Sequence, residues 1–239
     1  MRRNIVVLRT SVKLAGAAAA AAMMLCACGP VKMGAAAIVG SQRISAATLT
    51  AQSANLSAAY QTDIKKKVQI SYKAAQIPQQ ALSWLLRFRV RDALARQEGI
   101  SVTPEQQQQA LTGLTAQVKQ SGFATLQDAG VSSGIPPDLI SDLARYQAIG
   151  TQLVTRLDGG KAPTSTAAQN ALNAQLDKAQ CLASKSLDIE VNPQFGVFDY
   201  GQLAVIPAQD KLSAPQAAAS PAPSPAASAS PAPQLTPPC

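Results

Sequence analysis

From Gln79 to Gln97 the chain meets no helix breaker, with Pro78 standing where a helix can begin and Gly99 where one ends. At about 100° per residue, Leu82, Leu85, Leu86, Val90, Ala93 and Leu94 fall on one arc, which Trp84, Phe88 and Ala81 extend. Only a narrow stripe through Ser83, Arg87 and Arg91 reads as wet. A helix so widely apolar has to be covered on more than one side or show an apolar shoulder. The segment is therefore expected at the centre of the core, and the chain is expected to be mainly α.

The flanking segments supply its partners. Ala35 to Val39 is a small apolar strand candidate, Gly40-Ser41 a turn, and Ile44-Ser45 leads into a helix from about Ala46 to Tyr60. Leu49, Ser53 and Leu56 form its stripe, and Asp63 to Tyr72 reads as a polar loop. Thr103-Pro104-Glu105-Gln106 is a capping box with proline at the first helical position; it opens a helix to about Lys119 with Ala110, Leu111, Leu114 and Val118 as a buried stripe. Phe123 to Ala129 reads as a short helix stopped by Gly130. Pro136-Pro137-Asp138 opens another, in which Leu139, Ile140, Leu143, Tyr146, Leu153, Val154 and Leu157 recur until Gly159-Gly160. Thr164 or Ser165 caps a last helix with Ala168, Leu172, Leu176 and Ala179 inward. Leu187 to Val191 alternates as a half-buried strand does, Asn192-Pro193 turns the chain, and Gly196 permits a tight bend.

Both ends are of a different kind. Arg2, Arg3, Arg9 and Lys13 precede an apolar run, Leu14 to Leu25, too short to span a bilayer and stay there. It ends in Leu25-Cys26-Ala27-Cys28, which resembles a bacterial lipobox with Cys28 as the lipidated first mature residue. The expected organisation is a lipoprotein signal peptide over 1–27, a lipidated tether over 28–35, a helical domain with a C-terminal strand over 36–206, and a Pro/Ala/Ser tail over 207–239. The tail holds too little apolar surface to order itself and reads as a spacer. Such a chain is expected on the extracytoplasmic face of a cell membrane.

Charge and cysteine usage exclude several classes. Without residues 1–27 the net charge falls from +8 to +4, so the basic balance belongs largely to the signal and no nucleic-acid partner is expected. Lys65-Lys66-Lys67 reads as a solvated loop or helix end. The sequence has no histidine, so the usual zinc, Ser-His-Asp and Cys-His constellations cannot be assembled; no catalytic residue, metal ligand or cofactor is expected. With Cys28 acylated, Cys181 and Cys239 remain, either as a disulfide or as free or intermolecular thiols. Asp188, Glu190 and Asp199 are the clustered acids near the last strand, where alternation puts Asp188 and Glu190 on the solvent side.

The order of these elements, with Leu82-x-x-Leu85-Leu86, Gly99-Ile100-Ser101-Val102-Thr103-Pro104-Glu105 and Pro137-Asp138-Leu139-Ile140, resembles the N-terminal domain of SurA and PrsA over about residues 36–157. Those proteins are chaperones and foldases of the bacterial envelope. Val191-Asn192-Pro193-Gln194-Phe195-Gly196 is similar to a segment near the end of related actinobacterial lipoproteins. The resemblance implies a helical domain in which the C-terminal strand packs on the N-terminal one, here Leu187–Val191 against Ala36–Val39. The parvulin isomerase domain that usually follows has no room between Gly160 and Ser186, where it would need roughly a hundred residues.

The expectation is a non-catalytic chaperone that holds unfolded or nascent exported polypeptides among its helices while the Cys28 lipid anchors it to the membrane. Trp84 and Phe88 are the candidate client-binding residues, against the alternative that they are core. A scaffold or ligand-binding lipoprotein of the same fold, or a degenerate prolyl isomerase, are the other readings.

Overall fold

The computed structural model describes residues 33–160, 164–208 and Cys239. The chain divides into Met1–Gly34 and Ala35–Cys239; of the first unit only Met33 and Gly34 are described, as a turn. Cys28, the signal segment and residues 209–238 of the tail lie outside the described residues.

Three small alanines open the second unit. Ala35–Val39 forms strand β1, buried along almost its whole length because Ala36 and Ala37 let neighbours approach its backbone closely. Gly40, at φ +56°, turns the chain into β2, Gln42–Ser45, which pairs antiparallel with β1. Ser45 ends this strand and caps the next element: its Oγ accepts from Thr48 N at 2.9 Å, starting helix α1, Ala46–Lys65.

A 3₁₀ turn, Ala74–Gln76, leads into α2, Ile77–Gln97, the breaker-free segment with Pro78 in its first turn. Next come α3, Pro104–Gln120, and α4, Leu126–Ser132, capped by Thr125. A 3₁₀ turn over Pro137–Leu139 precedes α5, Ile140–Leu157, and Ser165 caps α6, Thr166–Ser186. Strand β3, Ile189–Val191, then lies antiparallel on the free side of β1, matching Ala37 to Val191, Ile38 to Glu190 and Val39 to Ile189. The sheet order is β2-β1-β3, so the expected pairing of the N-terminal and C-terminal strands is present in a mainly helical fold. A hairpin of β4, Val197–Asp199, and β5, Ala204–Ile206, completes the described body.

Helix α2 is the centre of the core. It packs against α1, α5, α6, β1 and β5, and Ala81, Leu82, Leu86 and Val90 are fully buried among Leu49, Leu56 and Ile149. Cutting Leu82 or Leu86 to alanine at such a site costs about 2–5 kcal/mol, transfer and cavity terms together.

The stripe expected to be wet is covered instead. Ser83 and Arg91 are buried and Arg87 is half-buried, leaving Arg89, Arg96 and Gln97 as the exposed face of α2. The reason is the hairpin and α6. Ser83 Oγ accepts from Val205 N at 2.8 Å, Arg87 Nε donates to Leu203 O at 2.9 Å, and Arg91 donates to Gln180 Oε1. Polar side chains on this helix bond backbone and amide groups of later elements rather than water.

Several boundaries also move. Helix α1 continues five residues beyond Tyr60, to Lys65, so only the remainder of the Asp63–Tyr72 segment is non-helical. The short helix expected over Phe123–Ala129 starts at Leu126 and carries Gly130 inside it. The stripe of α3 is not buried: Ala110, Leu111, Leu114 and Val118 are all half-buried. Cys181 and Cys239 are joined in a disulfide with Cα atoms 5.9 Å apart, across a sequence separation of 58 residues. By the chain-entropy relation a loop of that length is worth about 4 kcal/mol against the unfolded state.

Candidate functional site

The half-buried state of α3 follows from its neighbours. It packs chiefly against α5 and less against α4, so one side of its apolar stripe faces a single helix. Its start is fixed at both ends of the capping box: Gln106 N donates to Thr103 Oγ1 at 3.3 Å, and Thr103 N donates to Gln106 Oε1 at 2.9 Å. Gly113 then leaves a gap in the middle of the helix, where an added Cβ would meet nothing within 4 Å.

The result is a groove of about 460 Å³ between α3 and α5. Its floor is Ala110, Gly113, Leu114 and Ala148; its walls carry the amides of Gln106, Gln109 and Gln117 from α3 and of Gln147 and Gln152 from α5. Gln152 Nε2 donates to Gln106 Oε1 at 3.1 Å and to Ser101 O at 3.2 Å, which ties the helices together at one end. The side chains of Gln109, Gln117 and Gln147 are exposed and make no such bond among the described residues.

Among the described residues no charged side chain lines this groove. Each free glutamine presents two N–H donors and one carbonyl acceptor, enough to pair both the C=O and the N–H of a peptide unit, above a floor of small apolar groups. Such a surface can hold an extended backbone and small side chains without selecting for charge. The stripe that makes the floor is legible in the sequence as one helix face, though as a buried one, whereas nothing in the spacing marks the glutamines beside it.

Trp84 and Phe88 are placed elsewhere. They form a separate cluster with Tyr146, Ile135 and Leu139, with ring centroids 5.7 Å apart for Trp84–Phe88 and 5.8 Å for Phe88–Tyr146. The indole Nε1 donates to Ser133 O at 3.0 Å, and the Arg87 guanidinium lies 4.8 Å from the indole ring centre. Phe88 is 8% exposed, so its ring is largely occupied by these neighbours. It borders a smaller cleft of about 180 Å³ with Arg89, Asp92, Asp142 and Arg145, in which Arg145 and Asp92 pair at 3.0 Å. Burial and the nearby Asp92 push the Asp142 carboxyl up, against the pull of Arg89 and Arg145.

The lysine run at the end of α1 has a structural partner. Lys66 Nζ lies 3.5 Å from Asp63 Oδ1 and 3.1 Å from Asp128 Oδ1, linking α1 to α4. Burial, then the Asp128 charge, push the Asp63 carboxyl up. Burial acts on Asp128 in the same direction, but hydrogen bonds from Thr125 and Lys66 outweigh it and hold this carboxyl below its usual range.

The C-terminal acids do not converge. Asp188 and Glu190 are exposed, and Asp199 Oδ1 accepts from Gly201 N and Gln202 N in the β4–β5 turn. Among the described residues no three His, Cys, Asp or Glu side chains come together in a metal-binding group, and no helix is long and apolar enough to cross a membrane. Comparison with protein-family models, with curated proteins and with solved structures matches this chain to none of them.

Proposed function

We propose that this chain is a lipid-tethered chaperone of the cell envelope that holds non-native exported polypeptides without covalent chemistry. The α3–α5 groove is its holding surface. The observation that carries this reading is an open groove whose apolar floor is flanked by the amides of Gln109, Gln117 and Gln147, which have no side-chain partners among the described residues. Folded proteins bury their backbone amides; unfolded chains expose them, together with small apolar side chains. The groove therefore discriminates by conformation rather than by charge. The lipobox-like ending at Cys28, the signal-like segment before it and the resemblance to SurA and PrsA support an envelope location and a polypeptide ligand.

Gly113→Arg tests this. The substitution adds a long, charged side chain where the backbone has open space around it, so the helix tolerates it and the groove is filled. Suppression of the aggregation of a denatured client is expected to need about tenfold more of this variant than of wild type, at a thermal stability no lower than that of wild type. Equal suppression by both proteins would remove the groove from the mechanism. Capture of a few folded partners instead of many unfolded ones would turn the reading toward a scaffold.

A further inference from the structure

Among the described residues, Arg91 is a buried cation without a counter-ion. It is 4% exposed, and none of the ion pairs among the described residues includes it. Nε and Nη2 both donate to Gln180 Oε1, at 3.1 and 2.8 Å, and Nη1 donates to Tyr146 O at 3.4 Å. A guanidinium has five N–H groups, so one on Nη1 and one on Nη2 are left over. The Tyr146 ring covers one face of the guanidinium, its centre 3.9 Å from Cζ. Asp177 acts on Arg91 only at longer range, and burial pulls the guanidinium below its ordinary value.

The guanidinium reaches the base of a second cleft, of about 570 Å³, between α5 and α6. Gly150 is the opening: a Cβ there would run into Nη1, so any other residue would displace the group from this wall. Thr151 and Thr155 on α5 and Gln169 and Asn173 on α6 form the polar sides, and Val154 and Leu176 add apolar surface. Among the described residues lining it, Arg91 is the only charged side chain.

We propose that the α5–α6 cleft binds a carboxylate, with the free N–H groups of Arg91 as its anchor and the remaining amide N–H groups of Gln169 and Asn173 completing its hydrogen bonds. One positive charge presented by a planar fork suits a monoanionic carboxylate; a dianionic phosphate would bring a second charge that no described lining residue answers. The carboxylate can come from a free organic acid or from the end of a peptide, and the same groups would hold either. The site stands independently of the α3–α5 groove, although Gln147 and Thr151 border both.

The test is an amide NMR titration of the full chain with butyrate, with N-acetyl-trialanine carrying a free C-terminal carboxylate, and with the same peptide amidated. At least one carboxylate probe is expected to shift Gly150, Thr151 and Asn173 with an affinity of about millimolar, and the amidated peptide to leave them unmoved. Butyrate alone binding assigns the cleft to small acids; tighter binding by the peptide acid assigns it to chain ends. Asn173→Asp supplies the decisive variant, because Asn173 is exposed and its side-chain oxygen, which accepts from Gln169 Nε2, is retained. It places a negative charge at the mouth and is expected to weaken the carboxylate probes at least tenfold at unchanged stability. No shift with either carboxylate, equal shifts with the amidated peptide, or binding undiminished in Asn173→Asp would each overturn the proposal.

Discussion

Gly113 and Gly196 make opposite demands on a side chain. Gly113 sits in the interior of α3 with open space around it, so Gly113→Ala should stabilise by about 0.5–1 kcal/mol through helix propensity alone, measurable by urea denaturation. Gly196 is at φ +125° and an added Cβ would collide with Ile206 O, so Gly196→Ala should destabilise by more than about 1 kcal/mol. The two carboxylates beside Lys66 also differ in sign. Asp63 is raised above its ordinary 3.8, so its favourable contribution exists at low pH and is lost as pH rises through the higher folded value. Asp128 is lowered, so its contribution exists above 3.8 and is lost as pH falls through the lower folded value. At pH 7 Asp63→Asn is thus expected to be neutral or stabilising. Asp128→Asn should cost about 1 kcal/mol, a deficit that closes as wild type is acidified below the ordinary aspartate range.

At the scale of elements, helices were legible where their ends carry chemistry. Thr103 with Gln106, Ser165, and Gly159-Gly160 mark starts and stops that local hydrogen bonding enforces, and the structure keeps them. The β4–β5 hairpin was not legible. Its strands have three residues each, too short for alternation to show, and its docking stripe on α2 is made of Ser83 and Arg87, which read as solvent-facing until a backbone is placed against them. The groove was half legible for a related reason: periodicity reveals that Ala110 and Leu114 share a face, but not that nothing fully covers it. Ser83→Ala should strand the Val205 N–H, lowering stability by about 1–3 kcal/mol. Hydrogen exchange should show the loss concentrated at Phe198 and Val205, with the β1–β3 pairing protected as before.

Across the whole molecule, the described body is held by one helical core and by a covalent bond between α6 and Cys239. That bond could not be read from a separation of 58 residues, since only the fold brings the two Cα atoms to 5.9 Å. Reduction should lower stability by up to about 4 kcal/mol, and Cys239→Ser should reproduce the effect and be insensitive to reductant. The central claim, that the α3–α5 groove holds unfolded chains, is tested most directly by a photo-crosslinking residue at Gln109 on the groove wall, compared with one at the exposed Lys178 on α6. Adducts with a denatured client at position 109, absent with the same client folded and absent at position 178, are the predicted result. Equal labelling at both positions, or none at 109, would contradict the account.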